Sequence, residues 1–377
     1  MSKKHILRGV ALVFLALVMC VSLCSCAYFE ALLPDGAGKS RGSSGGGDGE
    51  KNNVVVEGDI EIHFLELGNR YTGDCTYIKA GDKDILIDAG SKVSSIKTID
   101  EYIERYVTDK KLEYVIVTHA HEDHYAGFAT YENVDSLFDL YECEVIIDFA
   151  QITTGREEKV MYKNYVRERD AEIEKGAKHY TAAECIEDET IKGVFDLGDG
   201  MSLTVLDSYY YYNKSTTEND HSVCTLLEDG KNSYLFTGDL EKKGEEKLVE
   251  MNDLPEVKLY KAGHHGSKTS SNEVLLEVIK PEIVCVCCCC GSPEYTSTNK
   301  NQFPTQAFVD RIAPYTDKVY VTTLCVDYEK EEFKSMNGDI IVRSVDGEVS
   351  VHCSASKDVL KDSNWFKKNR TTPSAWK

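Results

Sequence analysis

At 377 residues, with 42% hydrophobic and 28% charged side chains, the chain has the composition of a folded protein and not of a disordered one. Its formal charge of −21 disfavours nucleic acid as a partner for the surface as a whole, because phosphate binding needs clustered Lys and Arg. The length allows one large domain or two ordinary ones, with ample material for a core.

The chain opens on Lys3, Lys4 and Arg8, followed by the apolar run "GVALVFLALVMCVSL". That run is short for a spanning helix, which needs about 20 residues, and has the layout of a secretory leader. The next residues, "LCSC" from Leu23 to Cys26, resemble the lipobox of bacterial lipoproteins. Residues 1–26 are therefore expected to be a lipoprotein signal peptide, with Cys26 as the lipidated end that anchors the protein on the outer face of a bacterial cell membrane. A plain secretory peptide or an uncleaved anchor is the alternative. Residues 27–56 form a Gly/Ser-rich linker without apolar periodicity, one folded domain is expected over 57–353, and 354–377 reads as a polar tail carrying Trp365 and Phe366.

Within the domain, "DIEIHFLEL" and "DCTYIKAGDKDILIDAG" read as paired strands around the turn at Gly81 and Asp82. Helical spacing in "SSIKTIDEYIERYV" is followed by the strands "LEYVIVTHA" and "YECEVIIDF", then by a charged helix closed by Gly176. The second half gives strands "MSLTVLD", "HSVCTLLED" and "KNSYLFTGD", the helix "EKKGEEKLVEM", the strand "EVKLYKAG" and the helix "SNEVLLEVIK". The strand "PEIVCVCCCC", a helix opened by Pro304, and three further strands complete the pattern. "YYYY" at 209–212 reads as a loop or strand edge. Strands alternating with helices in both halves predict an α/β domain. The chain has 14 cysteines, five of them in "VCVCCCC". Neighbours on a strand point to opposite faces and no second C-x-x-C pairs with them, so a buried strand is expected there rather than a metal cluster.

The chemistry concentrates in "THAHEDHYAG". His119 and His121 cannot share a metal on a helix, but in a tight loop after a strand both turn inward, and Asp123 with His124 then faces a second position. Two adjacent ions are the expectation, Zn²⁺ first, with Mn²⁺ or Fe also compatible with imidazole and carboxylate donors. Three more strands end in ligand-competent residues: "ILIDAG" at Asp88, "YLFTGD" at Asp239 and "KLYKAGHHGS" at His264 and His265. Their convergence on one cleft is the central expectation.

This set resembles the metallo-β-lactamase-fold hydrolases, and within them it is most similar to the hydrolase domain of ComEC-type competence proteins, over about Ile60 to Val351. The resemblance implies an αβ/βα four-layer sandwich. It implies that His119 and His121 hold the first metal, that Asp123 and His124 hold the second, and that Asp239 bridges both. One of His264 and His265, with His265 favoured, completes the second site, and Asp88 supports a ligand histidine by hydrogen bond. Asp123, Asp239 and Asp88 are the carboxylates expected to serve catalysis. Many relatives carry a further histidine before the bridging aspartate. His221 is the only histidine in that region here, and it reads more simply as a core or surface residue. The subgroup often has His-Pro where this chain has Phe303-Pro304. Ser267 and Lys268 suit an anionic substrate oxygen, but the same segment reads equally well as a helix start capped by Ser270 or Ser271.

The expected function is metal-dependent hydrolysis of a phosphodiester, small or polymeric, through a metal-bound hydroxide. A metal-binding surface lipoprotein without turnover, or a hydrolase of another ester such as a phosphocholine ester, is the alternative. No apolar run beyond the leader provides the many spans of a DNA-import channel.

Overall fold

The apolar runs pair into two eight-stranded sheets. The computed structural model describes residues 59–377; the leader, Cys26 and the linker expected over 27–56 lie outside them. The strands are β1 (Ile60–Phe64), β2 (Thr76–Ala80), β3 (Lys83–Ile87), β4 (Lys111–Ile116), β5 (Glu142–Asp148) and β6 (Lys178–Thr181). Then follow β7 (Val194–Gly198), β8 (Met201–Val205), β9 (Thr225–Glu228), β10 (Ser233–Phe236), β11 (Leu259–Lys261) and β12 (Ile283–Cys290). The last four are β13 (Val319–Asp327), β14 (Glu332–Ser335), β15 (Ile340–Val345) and β16 (Glu348–Cys353). One sheet runs β16-β15-β1-β2-β3-β4-β5-β6 and the other β14-β13-β12-β11-β10-β9-β8-β7. Helices flank them, giving the expected four-layer α/β sandwich.

Each sheet is mixed, and its parallel part positions the site. β3 lies parallel to β4, with Ile87 opposite Ile116, and β10 lies parallel to β11, with Phe236 opposite Lys261. The loops after these four strands therefore leave from the same ends of neighbouring strands, the place where open α/β sheets present ligand-binding residues.

β12 divides its side chains between two cores. Cys285 and Cys287 sit in the larger core, which includes Phe64, Leu227 and Phe236, whereas Val284, Val286, Cys288 and Cys290 pack with Leu276 and Phe308 in the second. All eight residues of the strand are buried and its five cysteines are free thiols, as a small apolar side chain in a core strand would be. Burial pushes these thiols up from their ordinary range.

Several local expectations are corrected. "YYYY" forms a short helix, Tyr209–Tyr212, with Tyr211 buried. The helix Gln306–Ile312 starts two residues after Pro304, because the Thr305 side chain accepts from the Phe308 N–H and caps it. Neither Ser270 nor Ser271 caps the helix Glu273–Ile279: the Glu245 carboxylate accepts the N–H groups of Ser271 (2.5 Å) and Asn272 (2.9 Å) instead. The Glu245 carboxylate thus holds the two residues that lead into the helix, with Asn272 at the N-cap. Residues 354–377 are packed and not a trailing tail, since Leu360, Phe366 and Trp376 are buried in the second core. Among the described residues no helix is long and apolar enough to cross a membrane.

Candidate metal centre

The loop after β3 turns sharply at Asp88, whose φ is +58°. Its buried carboxylate accepts the Thr118 N–H (2.8 Å) and the Thr118 hydroxyl (2.8 Å), and lies 2.7 Å from His124 Nδ1. A carboxylate placed this way accepts, so His124 carries its proton on Nδ1 and turns Nε2 inward. Burial raises the Asp88 carboxyl, against the pull of His124 and Thr118. Gly90 is required beside it: a Cβ there would stand 1.6 Å from the Asp123 carbonyl oxygen. The Ala89 N–H donates to the His124 carbonyl (2.7 Å) and the Gly127 N–H to the Ala89 carbonyl (2.6 Å), so the two loops are laced together.

Beyond β4, the histidine-rich loop enters the short helix Glu122–Tyr125 with His121 as its extended N-cap. His119 Nδ1 lies 3.1 Å from Thr118 Oγ1, a hydroxyl whose proton is already given to Asp88, so Nδ1 donates and Nε2 bears the lone pair. That Nε2 is 2.9 Å from His121 Nδ1 and 4.0 Å from Asp239 Oδ2. Burial, with His124 and His121 beside it, holds His119 well below the ordinary imidazole range, which keeps it neutral.

Asp239 follows β10, its N–H donating to Ser222 Oγ at 3.0 Å. Its Oδ2 is the hub of the cluster, 3.3 Å from His124 Nε2, 3.4 Å from His265 Nε2 and 3.8 Å from His264 Nε2. Burial works against its charge, but the histidines outweigh it and the carboxyl lies well below the usual range. The pair after β11 adopts left-handed backbone at both residues, φ +47° at His264 and +54° at His265. Such strain in two non-glycine neighbours is found where side chains must be aimed. His265 is buried, donates from Nδ1 to the Cys287 carbonyl at 2.9 Å, and brings Nε2 to 3.5 Å from Asp123 Oδ2. His264 is partly open, with Nδ1 3.1 Å from Thr269 Oγ1 and 3.6 Å from Glu241. The structure thus places His119, His121, Asp123, His124, Asp239, His264 and His265 around one point, with Asp88 behind them. His221 donates from Nδ1 to the Tyr210 carbonyl at 3.2 Å, and its buried Nε2 has no hydrogen-bond partner.

Sequence reasoning missed Asp74. It precedes β2, is buried, and forms an ion pair with Lys261, itself buried near the end of β11. One ligand-competent atom from each of Asp74, His124, Asp239 and His265 lies within 4.8 Å of the others. Asp74, however, meets the imidazoles from behind: Oδ1 is 3.2 Å from His265 Nδ1 and Oδ2 is 3.7 Å from His124 Nδ1. The Nε2 atoms face Asp239, so Asp74 suits bracing of the two rings better than ligation. Burial disfavours its charge, yet Lys261 and His265 hold the carboxyl below its usual range. A Gly-Asp pair ahead of a strand was the only signal for it.

The residues fit a cation. His124 Nε2, His265 Nε2 and Asp239 Oδ1 are buried with no hydrogen-bond partner, an arrangement that a folded interior normally avoids. The 3.3 and 3.4 Å from His124 Nε2 and His265 Nε2 to Asp239 Oδ2 match the roughly 3.4 Å expected between two donors on one tetrahedral ion with bonds of about 2.1 Å.

The chain has the metallo-β-lactamase fold, and the family model described as the metallo-beta-lactamase superfamily matches its residues 68–134, a stretch spanning Asp74, Asp88 and the histidine-rich loop. The chain is also similar to bacterial competence proteins. It is 27% identical to Recombination protein 2 of Haemophilus influenzae over 270 residues, 70% of this chain and 28% of that protein. It is 27% identical to ComE operon protein 3 of Bacillus subtilis over 244 residues, 59% of this chain and 27% of that protein. Competence protein ComA of Neisseria gonorrhoeae is 34% identical over 114 residues, 29% of this chain and 15% of that protein. The matches thus span between 15% and 28% of the length of these relatives. Among solved structures, the metallo-beta-lactamase fold protein YhfI from Bacillus subtilis aligns with a TM-score of 0.39 and 11% identity, over 71% of this chain and 96% of that one.

Proposed function

We propose that this chain is a metal-dependent hydrolase of phosphodiesters, exported and held at the outer face of a bacterial membrane through Cys26. The observation that carries the hydrolase reading is the convergence of unpartnered buried donors, His124 Nε2, His265 Nε2 and Asp239 Oδ1, at the ends of parallel strands. His119 and His121 would hold one ion, Asp123, His124 and His265 a second, with Asp239 between them. Bound there, two zinc ions supply an acidified water and a Lewis-acid hold on the ester oxygens.

The chain's own residues prepare that site. Asp88 and the Cys287 carbonyl fix the tautomers of His124 and His265, and Thr118 fixes that of His119. Asp74 and Lys261 close the back of the cluster and keep its wall charged but paired. His121, Asp123 and His264 are its partly exposed members, so substrate approaches on that side. The lipid anchor rests on the residues around Cys26 and the phosphodiester on the likeness to competence proteins. The acidic chain favours a short or wall-linked anionic substrate over long nucleic acid.

Metal analysis of the purified chain, followed by hydrolysis of bis-p-nitrophenyl phosphate, tests the reading. Two equivalents of metal and turnover are expected, and His121→Ala removes both. Bound metal with no turnover would leave a binding protein, and nitrocefin hydrolysis in place of phosphodiester hydrolysis would point to a β-lactamase.

A further inference from the structure

At the rim of the cluster one aromatic side chain stands largely in solvent with its polar end turned inward. Tyr295 is 55% exposed, yet its hydroxyl donates to Asp123 Oδ2 at 2.7 Å. The support for this position is specific. The Phe303 ring lies 5.5 Å from that of Tyr295, and 5.8 and 5.9 Å from the rings of His264 and His265. The neighbouring Glu294 carboxylate accepts the Thr72 N–H at 2.9 Å, which ties the loop to the segment carrying Asp74. Phe303 therefore acts as a prop between the paired histidines and Tyr295, and it places a hydroxyl where the cluster opens.

Other hydroxyls near the cluster are already committed. Thr118 donates to Asp88, and Ser222 serves the Asp239 N–H; both are buried. Tyr295 alone among these combines an accessible ring with a proton it can redirect, since its acceptor is an oxygen that a cation would also claim.

We propose that Tyr295 is a substrate-binding residue: its hydroxyl turns from Asp123 to a non-bridging oxygen of the phosphoester, while the exposed ring face lies along the ester substituent. A phenol with an ordinary pKa of about 10 remains a donor at neutral pH, and a donor aimed at a charged oxygen makes one of the stronger protein hydrogen bonds. The inference rests on the phosphoester reading above, and its test separates the two.

Tyr295→Phe keeps the ring and removes the hydroxyl. With the full metal-loaded chain, inorganic phosphate is titrated by calorimetry and metal content is measured alongside. The expected result is metal content equal to that of the unmodified chain, with phosphate affinity lowered about tenfold. Equal phosphate affinity in the two proteins, or an unmodified chain that binds no phosphate, overturns the proposal. So does a loss of metal in the variant, which would make Tyr295 a residue that only positions Asp123. Weakened phosphate binding by the variant, in a chain that hydrolyses no diester, removes the hydrolase reading and leaves Tyr295 as an oxyanion-binding residue.

Discussion

Replacing Asp88 by asparagine removes one charge and turns one acceptor into a donor at the point where three hydrogen bonds meet. The amide oxygen can keep the Thr118 N–H, now 2.8 Å away, but the amide NH₂ then faces the Thr118 hydroxyl and His124 Nδ1, at 2.8 and 2.7 Å. To avoid opposing two donors, His124 must move its proton to Nε2, the nitrogen 3.3 Å from Asp239 Oδ2. A protonated Nε2 cannot ligate. Supporting residues of this kind contribute about 10–100-fold in metal affinity, or about 1.4–2.7 kcal/mol. Loss of one hydrogen bond to a charged group costs the metal-free fold about 1.5–3 kcal/mol. The assay is zinc competition against a chromophoric chelator, paired with urea unfolding of the metal-free protein. A variant that binds zinc within about threefold of the unmodified chain would refute the assignment of His124 Nε2 as the inward-facing donor.

Glu245 gives a pH dependence away from the cluster. Burial pushes its carboxyl up to about 7, against the bonds from Asn272 and Ser271, so the folded state holds this proton more tightly than the unfolded chain does at about 4.5. Its contribution is full below about pH 4.5 and is lost as pH rises through about 7, a fall of about 3 kcal/mol. Urea unfolding of the unmodified chain and Glu245→Gln between pH 4.5 and 8 should show the flatter profile in the variant, and identical slopes would contradict the argument. Phe366→Ala should destabilise the fold by about 3–5 kcal/mol, because the side chain is fully buried in the second core. An unchanged unfolding midpoint would return residues 354–377 to the status of a tail.

The strands and the main donors were legible because one physical rule served both. An apolar run closed by a ligand-competent residue and a glycine marks a core strand delivering a side chain to its end, and Asp88, His119, Asp239 and His265 all follow it. Asp74 escaped because it stands before its strand, where no apolar run points at it. Lys261 escaped for the opposite reason: it lies inside an apparent strand, and lysine is normally solvated, so only the buried Asp74 explains it. Ser270 and Ser271 were attractive caps by residue type, but the helix begins later, with Asn272 at its N-cap, and a carboxylate from a separate helix holds the Ser271 and Asn272 N–H groups. Contacts between distant segments, such as Phe303 against the paired histidines, leave no periodic trace in a sequence. The aromatic residues of 354–377 were visible, but not the surface that covers them.

The five sealed thiols of β12 make the interior its own tamper mark. While the protein is folded, alkylating reagents and oxidants meet sulfur that is neither accessible nor ionised. Label on Cys285 or Cys287 requires the larger core to open and label on Cys288 or Cys290 the second, so the rate of modification reports the opening of each core rather than the fraying of loops.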